Sequence, residues 1–298
     1  MLLLPKFDYE EPKSMREALA TLSELKGNAK VIAGGTDLLV NMKKGTVKPT
    51  RLVSLKKIGG LRDIAREDAG LSIGSHVTIS EIADSALVGS LFPVLARSAS
   101  CLGSPLIRNR ATIGGNIVTA RPAADLPPAL MVLGAEVQLK GKGKGRTVSL
   151  DSFFTGPGSS VMKAGEVLTR ITVPPVPSFT GGDYIKLGHR AALEIAIVAV
   201  ASRLTLDGPD GVIVDARIVL SSVAPTAVHA LSAEKALTGQ RPSEELFARA
   251  ASIAATECSP ITDLRGGADY RCDMVGILTK RTLLKAFHDA SGMKEGGA

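Results

Sequence analysis

An α+β fold in two parts is predicted for this chain of 298 residues by three observations. A short apolar segment twice runs into a glycine pair and then a small polar residue, as VIAGGTDLLV at 31–40 and ATIGGNIVTA at 111–120. Pro174, Pro175 and Pro177 disfavour helix and sheet alike and stiffen the chain, so they mark a junction. Beyond them strand-like runs precede helical ones, the order of an α+β domain. The length also exceeds the roughly 100–200 residues that one domain usually takes. The predicted division is 1–177, in lobes of about 1–57 and 58–177, then 178–290, with 291–298 as a frayed tail.

Ser14 and Glu17 fit a capping box, and Ala18, Leu19, Leu22 and Leu25 recur at helical spacing until Gly27. Residues 30–33 read as a strand and Gly34-Gly35 as its turn, with Thr36 or Asp37 as N-cap of a helix through Leu38, Leu39 and Met42. Strand, glycine pair and helix start is the order an anion-binding loop needs, because glycines let backbone N–H groups approach an anion. The plainer alternative is a pair of sharp turns, since glycine takes positive φ without a Cβ clash. Residues 49–55 form another strand and complete a small βαβ-like lobe.

LSIGSHVTI at 71–79 reads as paired or bulged strands, and TISE at 78–81 as a second capping box. A helix over 93–101 is broken by Gly103-Ser104-Pro105. LIRNRATIGGNIVTA at 106–120 reads as strand, glycine pair and strand, and ARPAADLPPAL at 120–130 as a loop too rich in proline for a regular element. Strands follow at 136–139, 147–150 and 166–173, with KGKGKGR at 140–146 as a solvated hairpin tip. In the second part 184–187, 195–206 and 212–222 are β candidates, and 243–257 and 270–290 are helical.

Composition narrows the function classes. Hydrophobic residues make up 45% and charged residues 22%, an ordinary globular balance. Aromatics are only 3%, without Trp, so any bound flat ring lies mainly against aliphatic side chains and backbone. The net charge of +7 is spread along the chain without RNP-like aromatics or zinc-finger spacing, which argues against a nucleic-acid partner. Cys101, Cys258 and Cys272 share no CxxC spacing and read as reduced thiols, encoding neither a disulfide framework nor a local metal or cluster site. MLLLPKFDYEEP is too short an apolar start for a signal peptide, and the longest apolar run, 195–201, falls short of a membrane span. A cytoplasmic location is expected.

No GxxxxGK[ST] or GxGxxG occurs, so phosphates are not held in either of those ways. HExxH is absent and no GxSxG elbow is present, since the one GxSxG match, GLSIG at 70–74, falls in a strand candidate, and His76, His189, His229 and His288 are far apart and read as surface or satisfied core residues. Asn116, Thr119 and Asp125 lie around Arg121-Pro122 beside the second glycine pair. Their amide, hydroxyl and carboxylate suit ribityl or ribose hydroxyls, or else satisfy the loop's own backbone.

AGGTDLL at 33–39 and RNRATIGGNIVTARPAADLPPALMVLGAEVQL at 108–139 resemble the two FAD-binding signatures of the flavoprotein subunits of molybdenum hydroxylases. This is the family of the carbon monoxide dehydrogenase medium subunit and the FAD domain of xanthine dehydrogenase. The resemblance extends to YIKLGHRAALEIAIVAVA at 184–201 and DYRCDMVGILTKRTLL at 269–284, and so covers nearly the whole chain. It implies a two-lobed FAD-binding domain of the vanillyl-alcohol oxidase and MurB-like type, followed by a C-terminal α+β domain.

The resemblance also implies that the two glycine turns receive the FAD diphosphate. Ala33, Gly34, Gly35, Thr36 and Asp37 stand on one side, with Thr112, Gly114 and Gly115 on the other. Asn116, Thr119 and Asp125 match cofactor-contacting positions, and Lys186 matches a lysine near the flavin. Tyr184 and Leu187 are the candidates to cover the ring. No catalytic residue and no metal ligand is assigned.

The implied role is electron transfer inside a complex. A subunit with two two-iron two-sulfur clusters and a molybdopterin-containing large subunit are the expected partners, and an external carrier such as NAD exchanges electrons with the flavin. Two alternatives stay open at this point: a self-sufficient MurB-like or oxidase-like flavoenzyme, and a scaffold subunit that has lost FAD.

Overall fold

The computed structural model describes residues 3–25, 27–190 and 192–292. The N-terminal lobe is a three-stranded parallel sheet of β1 (Asp8–Glu10), β2 (Ala29–Ile32) and β3 (Arg51–Ser54), with β3 in the middle. Helix α1 (Met15–Glu24) crosses from β1 to β2. Ser14 Oγ accepts the Glu17 N–H at 3.2 Å and starts it, while Glu17 Oε2 accepts from the Lys13 N–H, one residue earlier than a full capping box. Ala18 and Leu22 turn inward onto Val53 and Leu55, and a short α2 (Leu38–Lys43) follows β2.

The second lobe is an antiparallel sheet in the order β4 (Ile64–Glu67), β5 (Gly70–Gly74), β10 (Val167–Val173), β6 (Glu136–Lys140), β7 (Arg146–Ser149). The small hairpin β8 (Phe154–Gly156) and β9 (Ser159–Ser160) precedes β10. Between β5 and β6 run α3 (Ile79–Ala83), α4 (Ala86–Leu91), α5 (Pro93–Ser100), α6 (Pro105–Arg108), α7 (Ile113–Val118) and α8 (Leu126–Val132). Thr78 and Glu81 form the complete capping box predicted for α3.

Three readings of this lobe need correction. The second glycine pair is not a turn between strands; it lies in the first turn of α7, capped by Thr112, whose Oγ1 accepts the Gly115 N–H at 3.1 Å. The proline-rich segment is not all loop, because Pro127 and Pro128 sit in the first turn of α8, where their missing N–H groups cost nothing. LSIGSHVTI is a strand only as far as Gly74, with Ser75 still donating to Thr169 O of β10 and His76 and Val77 turning away from the sheet.

The C-terminal sheet is antiparallel in sequence order: β11 (Thr180–Leu187), β12 (Val198–Leu206), β13 (Ile213–Ser221), β14 (Val228–His229). Helices α9 (Leu231–Leu237), α10 (Glu244–Thr256) and α11 (Ala268–Ser291) follow. Strand β12 is buried at every position. Its period of two sends Ala199 and Ala201 into the core of the second lobe, and Val198, Val200 and Leu204 into the core under α10 and α11. One sheet is thus sandwiched between two helical layers, which fixes it against the second lobe.

Gly292 ends α11 in the left-handed conformation, and the remainder of the predicted tail, 293–298, lies outside the described residues. Cys258 Sγ lies 3.3 Å from Cys272 Sγ, and both are free thiols. Among the described residues no helix is long and apolar enough to cross a membrane.

Candidate cofactor-binding site

A cavity of about 830 Å³ opens where the loop after β2 meets α7, and the segment 162–168 closes its far side. That volume lies within the roughly 300–1,000 Å³ of small-molecule and cofactor sites. Ala33, Gly34, Gly35, Thr36 and Asp37 line one wall, and Thr112, Gly114, Gly115, Asn116 and Thr119 line the other. The structure therefore brings both glycine pairs to one space.

The two walls differ in what they offer. In the first, Gly35 takes φ +76, open to glycine without strain, and turns the chain from β2 into α2. Among the described residues, the N–H groups of Gly34, Gly35, Thr36, Asp37 and Leu38 have no protein acceptor. Asp37 takes the N-cap position of α2, yet its side chain makes no capping bond and faces the cavity. Consecutive unpaired N–H groups around a glycine turn form a concave donor surface suited to an anion.

In the second wall the glycine N–H groups are already committed, and of the expected backbone donors the Thr112 N–H alone is without a protein acceptor among the described residues. The N–H of Ile113 donates to Val77 O at 3.0 Å, that of Gly114 to Ser75 O at 3.0 Å, and that of Asn116 to Thr112 O at 2.9 Å, while Gly115 uses Thr112 Oγ1. Gly114 is glycine for packing: a Cβ there would stand 2.7 Å from Ser75 O and 2.8 Å from Ser75 Cβ. At Gly115 a Cβ would meet only Thr112 Oγ1, at 3.0 Å, so this glycine keeps cavity space open.

Side chains supply the polarity of this wall. Asn116 Oδ1 accepts the Leu126 N–H at 3.4 Å, and the Thr119 hydroxyl donates to Gly115 O at 2.6 Å while still able to accept. Ser75 also lines the cavity, is 3% exposed, and has a hydroxyl without a partner. Sequence reading passed over it because it looked like one residue of a strand.

Opposite, Glu166 is gripped by Arg146 through Nε at 2.9 Å and Nη2 at 2.8 Å, and accepts the Lys163 N–H at 2.7 Å. The Arg146 guanidinium holds the Glu166 carboxyl below its ordinary range. Leu102, Ile107 and Ile195 make part of the lining aliphatic, and no aromatic side chain is among the described lining residues. Ile195 reaches the cavity because its loop is tied at both ends: the Leu193 N–H donates to Gly103 O at 2.9 Å, and Arg271 Nη1 donates to Ile197 O at 2.9 Å. The ring-covering candidates Tyr184 and Leu187 do not line it.

Asp125 and Lys186 stand behind the wall rather than in it. Lys186 Nζ lies 2.9 Å from Asp125 Oδ1 and donates to Cys101 O at 3.2 Å, and the Tyr184 hydroxyl donates to Asp125 Oδ1 at 3.0 Å. Burial raises the Asp125 pKa, opposed by the Lys186 ammonium and the Tyr184 hydroxyl, and burial lifts Tyr184 well above the usual phenol value. The group joins α8 to β11 behind the cavity.

Comparison with known proteins decides the family. Residues 5–176 match the FAD binding domain in molybdopterin dehydrogenase, and residues 183–286 match the CO dehydrogenase flavoprotein C-terminal domain. The chain belongs to the FAD-binding medium subunits of the molybdenum hydroxylases. It is 35% identical over 290 residues to the carbon monoxide dehydrogenase medium chain of Hydrogenophaga pseudoflava, covering 96% of this chain and 99% of that one. The carbon monoxide dehydrogenase structure from that organism superposes with a TM-score of 0.92 at 36% identity, over 96% of this chain and 98% of the other. Quinoline 2-oxidoreductase from Pseudomonas putida 86 gives a TM-score of 0.91 at 30% identity, over 98% of this chain and all of the other.

As a member of this family the chain is an FAD-dependent oxidoreductase subunit, and its cofactor is FAD. The site fits such a dinucleotide: one wall of free N–H groups for an anion, hydroxyl and amide side chains opposite, and aliphatic lining for a ring.

Proposed function

We propose that this chain is the electron-transfer subunit of a multi-subunit molybdenum hydroxylase, passing electrons between iron–sulfur clusters on one partner and an external carrier such as NAD. The observation that carries the reading is the run of unpaired N–H groups from Gly34 to Leu38 facing a cavity of cofactor size. These N–H groups receive the FAD diphosphate. Asp37, Asn116 and Thr119 take ribose and ribityl hydroxyls, which donate to carboxylate, amide and hydroxyl oxygens, whereas the Asp37 carboxylate would be repelled by a diphosphate. Ala33, Gly34, Gly35, Thr112, Gly114 and Gly115 shape the walls, and Asp125 with Lys186 holds the second wall from behind.

FAD supplies a carrier that exchanges electrons singly or in pairs, while the protein fixes its position and potential. Leu102, Ile107 and Ile195 keep water from the ring. Ile195 is half exposed at the mouth, on the side where a partner's redox group approaches. A small subunit with two two-iron two-sulfur clusters and a molybdopterin-containing large subunit complete the proposed complex, in the cytoplasm. Relatives named as a medium chain and as a subunit of a dehydrogenase complex support this arrangement. We place the domain division at Pro174–Pro177, with lobes meeting near residue 57.

An absorbance spectrum of the purified chain, before and after FAD addition, tests the reading. Flavin bands that bleach with dithionite are expected, and bleaching by NADH identifies a nicotinamide as the external carrier. A chain that takes up no FAD sinks the proposal.

A further inference from the structure

We propose that the Ser75 hydroxyl donates a hydrogen bond directly to the diphosphate of the bound dinucleotide; this rests on the FAD reading above. The main chain of Ser75 is fully committed: its N–H donates to Thr169 O at 3.0 Å and its carbonyl accepts from Gly114 at 3.0 Å. Only the hydroxyl is left, buried at the edge of the cavity with no acceptor among the described residues.

Packing explains a small residue here but not a polar one. Gly114 backs directly onto the Ser75 Cβ, so the space allows alanine equally well, and alanine would leave nothing unsatisfied. A buried hydroxyl without a partner weakens the folded state, and such a cost at the edge of a cofactor-sized cavity points to a ligand that repays it.

The neighbouring backbone says which part of the ligand. The N–H groups of Ile113, Gly114, Gly115 and Asn116 are all used inside the protein, so among the first-turn residues this wall keeps only the Thr112 N–H as a main-chain donor for an anion. A diphosphate seated on the Gly34–Leu38 loop presents further non-bridging oxygens to the opposite wall. Ser75, beside Gly114, places a hydroxyl there, and a serine side chain turns among staggered rotamers to reach its acceptor. A hydroxyl donating to an anionic oxygen makes one of the stronger hydrogen bonds. Ser98, Ser222 and Thr279 also carry buried unpartnered hydroxyls, and none of them lines the cavity.

The test compares Ser75→Ala with the unaltered full-length chain. FAD affinity is measured by titration, the spectrum of the bound flavin by absorbance, and the melting temperature without FAD by calorimetry. The expected result is FAD binding weaker by about tenfold or more, unshifted flavin bands, and an FAD-free melting temperature equal to or above that of the unaltered chain. Equal affinities overturn the proposal. So does a lower FAD-free melting temperature, which would make the hydroxyl structural, or a shifted flavin spectrum, which would assign it to the ring. If the unaltered chain binds no FAD, the failure lies in the parent reading and takes this contact with it. If it binds and the variant binds equally, only the Ser75 contact falls.

Discussion

Gly34 presses against the main-chain carbonyl of Arg110, so closely that a Cβ at residue 34 would overlap the oxygen. This contact joins the loop after β2 to the turn before α7. Gly34→Ala therefore forces backbone apart, with an expected loss of about 1–3 kcal/mol or more visible in FAD-free thermal melts. Gly115→Val is expected to act differently. Its added Cβ meets only the Thr112 side chain and otherwise enters the cavity, so the variant folds and purifies without flavin. Full flavin content in folded Gly115→Val would show that the cofactor lies elsewhere.

The basic hairpin tip separates charge from geometry. Lys142 and Lys144 project from the β6–β7 turn and line no part of the cavity, whereas Arg146 at its base holds Glu166 in the lining through two hydrogen bonds and also donates to Val161 O at 2.7 Å. Replacing Lys140, Lys142 and Lys144 with Ser is expected to leave flavin content unchanged. Arg146→Ala frees Glu166 and the 162–166 segment, and a severalfold weaker FAD affinity should follow. If the lysine variant loses flavin, the phosphates sit at the hairpin tip.

How far this was legible from sequence depends on whether the deciding contact is local. The Thr78–Glu81 box, the strand-and-turn at 29–35 and the strand before Pro174 carry their own signals within a few residues and stand where expected, while the strand after it begins at Thr180, four residues before the predicted 184. The second glycine pair misled because Ile113, Ile117 and Val118 look like strand residues, while the forces that make a helix there come from Val77 and Ser75, about 40 residues earlier. Pro127 and Pro128 misled through composition, since a proline pair reads as a breaker unless it falls in a first turn. The glycine pairs led to most of the predicted residues that line the cavity. Ser75 was not, because an unpaired hydroxyl is a property of the assembled core and leaves no pattern in the chain.

Asp125 and Lys186 form a buried ion pair whose members depend on each other. Removing one leaves the other charge buried without its partner, so Lys186→Met and Asp125→Leu are each expected to cost about 3–5 kcal/mol in denaturant unfolding. The double variant Asp125→Leu with Lys186→Met should cost much less than the sum, because no lone charge remains. Additive losses would mean that the pair is not coupled and that each residue acts through its other contacts, Tyr184 for Asp125 and the Cys101 carbonyl for Lys186.

His229 ties the two parts of the chain through charge. Its Nδ1 lies 2.7 Å from Glu234 Oε1 and its Nε2 lies 3.2 Å from Asp151 Oδ1, the first carboxylate in α9 and the second in the 3-10 turn after β7. Burial alone would lower its pKa, but the hydrogen bonds to Asp151 and Glu234 outweigh burial and raise it to about 9. A folded pKa above the unfolded value of about 6.5 binds the proton more tightly in the native state. The stabilisation is therefore complete below about pH 6.5 and is lost as pH rises through about 9. Its size is at most about 3 kcal/mol and nearer about 1–2, since water screens the exposed Asp151. Melting curves from pH 6 to pH 10 on the unaltered chain and on His229→Gln should diverge at the acid end, with the variant less stable, and converge at the alkaline end. A constant gap across that range would mean that His229 contributes by packing and neutral hydrogen bonds, with no charge at the junction.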